Sequence, residues 1–135
     1  MAFLPWSDEY NVNVREIDEQ HKKLVGMINT LHEALVAGTG KDIQGKIISD
    51  MVDYAVVHFG TEEKYMQRYQ FPGHAGHKAE HDSFAKKAAE LKARMDGKGF
   101  VLTIVVLNFL KDWLQNHILV TDKQYSKHFN VNGLR

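Results

Sequence analysis

MVDYAVVHFGTEEKYM, residues 51–66, places apolar side chains at Met51, Ala55, Phe59 and Met66, the recurrence of one helical face. His58 and Glu62, four apart, continue that stripe. Two ionisable side chains thus lie on the face a helix would bury, where each is costly unless something satisfies it. Taken alone, HFGTE (58–62) is an ordinary helical hydrogen-bonded pair. Its meaning turns on what the neighbouring segments bring.

Working outward, the same helix covers about 41–69, with Ile47, Ile48 and Tyr54 on its apolar side and FPG (71–73) ending it. Upstream, DEQHKKLVGMINTLHEALVAG has its stripe at Leu24, Val25, Ile28, Leu31 and Leu35, acidic residues at its start and Gly38 as a stop, giving a helix over about 18–37. Downstream, about 74–95 carries Phe84, Ala88, Leu91 and Met95 on one face before the turn DGKG (96–99). The fourth segment, about 100–119, begins FVLTIVVLNFL and is apolar nearly all round, which predicts a deeply buried helix. Four helices with short connections imply an all-α, up-down-up-down antiparallel four-helix bundle. An irregular N-terminal arm (1–17) and a short C-terminal helix (122–128) complete one domain over 1–135.

Composition narrows the function. Seventeen basic residues balance seventeen acidic ones, so no general charge favours nucleic acid or anionic membranes. The chain has no cysteine, which removes disulfides, thiolate metal sites and cysteine nucleophiles. The apolar run at 100–110 is too short to span a bilayer, and no signal peptide is evident. A cytoplasmic chain is the expectation, with a monomer as the default state.

Histidine is the abundant type, with eight. His21 falls one heptad before Ile28, His77 and His81 lead into Phe84 and Ala88, and His117 follows Leu110 and Leu114. Every helix therefore turns at least one imidazole toward the core. HKAEH (77–81) lacks the glutamate that a zinc-protease helix carries after its first histidine. Together, five imidazoles and a carboxylate with no lysine or arginine among them form a cation site. Imidazole and carboxylate suit iron, zinc, manganese or copper rather than calcium or magnesium. Five histidines exceed one tetrahedral zinc, and bridging carboxylates argue for two metals. His32, His74 and His128 fall outside this set.

The series QH (20–21), HFGTEE (58–63), HAGHKAEH (74–81) and WLQNHILVTDKQY (113–125) resembles the hemerythrins, in particular their single-domain bacterial form. That resemblance implies two iron ions with a bridging hydroxide or oxide. His77, His81 and His117 would hold one iron, His21 and His58 the other, and Glu62 and Asp122 would bridge. Glu63 is turned about 100° from Glu62 and is not counted as a ligand. The family binds dioxygen reversibly, held as a hydroperoxide on the iron with the open position. Leu114, Ile118, Phe59 and Trp113 resemble its apolar oxygen pocket. A non-enzymatic carrier, store or delivery protein follows, with an oxygen-consuming enzyme as one recipient. The alternatives are an oxygen or redox sensor module and a di-iron oxidase or peroxidase. The oxidases typically have shells richer in carboxylate.

One spacing resists this reading. His117 and Asp122 are five apart, about 140° round a regular helix, whereas Thr121 would share the face of His117. Either a π-turn or a break near Val120 is expected between them.

Overall fold

The computed structural model describes residues 3–39, 41–96 and 103–135, excepting the side chains at 41, 42, 95, 96 and 103. The expected turn at 96–99, the inward placement of Met95 and a fourth-helix start at 100 lie outside that description. The helices are α1 (Arg15–Val36), α2 (Lys41–Arg68), α3 (His74–Asp96), α4 (Thr103–Asn116) and α5 (Lys123–Val131). A π-helical segment, His117–Asp122, joins α4 to α5 without a break. No strand occurs among the described residues. In the bundle α1 packs on α2 and α4, and α2 packs on α3.

Local chemistry sets the ends. After α1, Gly38 takes a left-handed conformation (φ 69°), and the amides of Gly38 and Thr39 return to the carbonyls of Leu35 and Ala34. This double bond is the Schellman stop that glycine makes inexpensive. The end of α2 repeats the motif with Gln70 in the left-handed position (φ 54°), and Phe71 closes onto the Met66 carbonyl. Pro72, two residues past Gln70, cannot continue the helix. His128 lies within α5 and donates from Nε2 to the Tyr69 carbonyl at 2.6 Å.

The arm is less irregular than expected. It contains a 3-10 turn at Asp8–Tyr10, and α1 begins at Arg15. Leu4, Tyr10, Val12 and Val14 are buried. Asn29 grips the Leu4 backbone through both its amide atoms, and Asp18 accepts the Val12 N–H at 2.7 Å. The fourth helix departs from expectation in the other direction. Val106, Leu107, Leu110 and Leu114 are buried, but Ile104 and Val105 are 40% and 50% exposed, so α4 is covered on one side only.

Two apolar clusters fill the interior. The larger runs along the bundle through Leu24, Ile28, Met51, Phe84, Leu107 and Leu110. The smaller, built from Val12, Val14, Ile17, Met66, Tyr125 and Phe129, lies beneath the arm and α5.

Candidate metal centre

Because neighbouring helices run in opposite directions, the start of α1, the end of α2, the start of α3 and the end of α4 share one end of the bundle. That end holds His21, His58 with Glu62, His77 with His81, and His117. All six are buried, as is Asp122. Their donor atoms form two groups that share both carboxylates: Glu62, His77, His81, His117 and Asp122 in one, and His21, His58, Glu62 and Asp122 in the other.

The spacing is informative. His77 Nε2 and His81 Nε2 lie 3.1 and 3.0 Å from His117 Nε2. Asp122 Oδ1 lies 2.9 Å from His77 Nε2 and from His117 Nε2, while Asp122 Oδ2 lies 3.1 Å from His21 Nε2. Glu62 Oε1 is 3.0 Å from His58 Nε2 and 3.3 Å from His81 Nε2. A cation bound at about 2.1 Å with donors at right angles would separate adjacent donors by about 3.0 Å. The arrangement thus has the edge length of a coordination shell.

Hydrogen bonding alone leaves the cluster unsatisfied. His21 Nε2, His58 Nε2, Glu62 Oε1 and both Asp122 oxygens are buried without a hydrogen-bond partner. Such atoms cost free energy unless something accepts them, and a cation would. No lysine or arginine is among the buried polar residues described. The residues present therefore fit metal ions of the imidazole-binding class.

Electrostatics in the metal-free chain follow from this crowding. Burial opposes charge on His117, but the facing Asp122 carboxylate outweighs it, aided by Glu62 and Glu80, and the imidazole is pushed up to about 9. Burial and Asp122 act to raise Glu62, yet His58 and His81 hold it below the usual carboxylate range. Burial likewise opposes ionisation of Asp122, which His117, His21 and His77 hold well below its ordinary value. His58 is lowered, chiefly by burial.

The sequence-predicted donors all converge here, and several supporting residues went unanticipated. Tyr125 donates its hydroxyl to Glu62 Oε2 and stacks on His77 with ring centroids 5.4 Å apart. Glu63, Glu80 and Gln20 approach the outward nitrogens of His81, His117 and His58. Glu63, Glu80 and Gln20 directly adjoin Glu62, His81 and His21 in the chain, which was the local signal. His32 is instead stacked on Phe3, and His74 opens α3.

Beside the donors lies an apolar cavity of about 10 Å³, lined by Leu24, Ala55, Phe59, Trp113 and Leu114 among others. That is room for one molecule of water size. Ile118 is fully buried but belongs to the packed core rather than to this lining. Trp113 stacks on His117 at 4.3 Å and Phe59 on His81 at 4.0 Å.

Residues 12–128 match the family profile described as hemerythrin HHE cation binding domain. The chain is 36% identical over 126 residues to a bacteriohemerythrin of Methylococcus capsulatus, covering 93% of this chain and 95% of that protein. It is 31% identical over 120 residues to a hemerythrin-like protein of Naegleria gruberi, covering 89% and 88%. A solved wild-type hemerythrin superposes with a TM-score of 0.87 at 36% identity, covering 93% of this chain and 97% of that one. The chain belongs to the hemerythrin family.

Proposed function

We propose that this chain binds dioxygen reversibly at a di-iron centre, as a carrier, store or delivery protein. The observation that carries the reading is the unequal pair of donor groups, five atoms against four, sharing Glu62 and Asp122. His77, His81 and His117 would hold one iron and His21 and His58 the other. A solvent hydroxide or oxide completing the bridge would fill the first shell and leave the second one position free. Two ferrous ions held in this way would supply the two electrons that dioxygen takes up, one from each.

The chain's own residues do the rest. Buried imidazoles contribute lone pairs without charge, so only two anionic side chains offset the metal charge. So few anions stabilise high-valent iron poorly, which favours binding over oxygen activation. Tyr125 holds Glu62 in place through its hydroxyl. The wall formed by Leu114, Phe59 and Trp113 lines a small apolar cavity beside the donors, and such a wall would keep bulk water and anions from them.

The test is to load the chain anaerobically with ferrous iron, admit air, then strip the gas. Two irons per chain and a charge-transfer colour that comes and goes would support the reading. Irreversible oxidation with turnover of an added reductant would replace it with an oxidase, and a chain that takes up metal but no iron would remove it.

A further inference from the structure

The five imidazole nitrogens that point away from the cluster meet unlike partners. His81 Nδ1 lies 3.0 Å from a Glu63 carboxylate oxygen. His117 Nδ1 lies 3.5 Å from Glu80, whose carboxylate Thr121 fastens at 2.9 and 3.0 Å. His58 Nδ1 instead meets the side-chain amide of Gln20 at 2.7 Å. Thr61 fixes the direction of that contact. Its hydroxyl donates to the Val57 carbonyl at 3.3 Å and so accepts from Gln20 Nε2 at 3.2 Å. Gln20 must therefore turn its oxygen to the ring, and His58 donates from Nδ1. His21 Nδ1 and His77 Nδ1 are buried with no hydrogen-bond partner.

A carboxylate that accepts from an imidazole draws the proton toward itself and makes the other nitrogen a stronger donor to a metal. A neutral amide does this far less, because its bond is not charge-assisted. The three-histidine group has two carboxylate-backed rings, whereas the two-histidine group has one amide-backed ring and one unbacked ring.

We infer that Gln20 is a positioning residue that holds the two-histidine half in its weakly donating, ferrous-favouring state, while Glu63 and Glu80 make the three-histidine half the firmer anchor. This rests on the two-iron reading above. It assigns to a single neutral side chain part of the reason that the half with a free position would release its ligand unchanged.

The experiment compares the iron-loaded chain with Gln20→Glu and Gln20→Leu, measuring iron content and the midpoint potentials of the two one-electron steps under anaerobic spectroelectrochemical control. Gln20 is only partly buried, so both replacements have room. With two irons retained, one potential should fall in the glutamate variant and rise in the leucine variant, while the other moves little. Glu63→Gln should act on the other half, weakening uptake of the first cobalt(II) ion by about 10- to 100-fold. Unchanged potentials in both Gln20 variants at full iron content would overturn this inference alone. A wild-type chain that takes up no iron would overturn the reading beneath it, and this inference with it.

Discussion

Leu114 lies one turn before His117, is 5% exposed and lines the apolar cavity. Shortening it to alanine opens the wall next to the donors. Leu114→Ala should cost about 2–5 kcal/mol in denaturant unfolding, as buried leucine truncations do. It should also speed autoxidation of the oxygenated chain, and an unchanged rate in a variant with two irons would remove Leu114 from the barrier. His117 gives a second prediction, for the metal-free chain. Its value, raised to about 9, means its contribution to stability is complete below about 6.5 and is lost as pH rises through about 9. Glu62 and Asp122 are held low, so theirs is present above about pH 4 and lost as pH falls. Urea midpoints of the metal-free chain should peak in mildly acidic solution and decline on both sides. At pH 7 the protonated His117 must deprotonate to bind a cation, so zinc uptake should release protons and tighten as pH rises toward 9. His58 and Glu62 were legible because they interrupt an apolar stripe. Gln20, Glu80 and Tyr125 were not, because their partners lie on other helices and periodicity carries no cross-helix pairing.

The π-helical segment is where local pattern and function collide. In His117–Asp122 the buried residues are His117, Ile118, Thr121 and Asp122, while Leu119 and Val120 between them are 38% and 61% exposed. A regular helix buries residues recurring at i, i+3, i+4, i+7 and i+8, so burial by itself does not set this segment apart. The π-turn shows instead in the contact of residues five apart, His117 Nε2 and Asp122 Oδ1 at 2.9 Å, which its wider turn brings onto one face. The sequence located the irregularity through the five-residue gap but could not choose between a π-turn and a break. Both satisfy the spacing, and only the backbone bonds differ. Deleting Val120 should therefore let α4 and α5 join as one regular helix with histidine and aspartate four apart. Far-UV circular dichroism should hold, and the variant should still take up two metal ions. Deleting Asn108 from the regular part of α4 should abolish uptake, because it rotates His117 by about 100° relative to the rest of the helix. Equal loss in both deletions would show that the π geometry itself, not the register, is required. The exposed Ile104 and Val105 mark a different limit of sequence reading. An all-apolar run reports that a helix can be buried, not how many neighbours reach it.

At the scale of the molecule, the donors occupy a polar layer between two apolar clusters, with the arm, α2 and α5 around the smaller one. The layer crosses the bundle from α1 to the π-segment, so the same seven side chains tie the two clusters together. The bundle was legible because each helix carries its own stripe. The arm's packing was not, since it depends on single contacts such as Asn29 with the Leu4 backbone and Ser126 with the Val12 carbonyl. Without metal, the layer retains buried atoms with no hydrogen-bond partner. With metal, each bound ion stabilises the folded chain by mass action, by about 4 kcal/mol at a thousand times its dissociation constant. For a domain of this size 1 kcal/mol is worth several degrees, so chelation should lower the melting temperature by about 10 °C or more. The larger cluster does not depend on the donors. Helical content at low temperature should therefore survive chelation, while near-UV signals from Trp113 and Tyr125, which stack on His117 and His77, should change. A melting temperature indifferent to metal would mean that the layer is already satisfied as a hydrogen-bonded core, and the metal reading would fall with it.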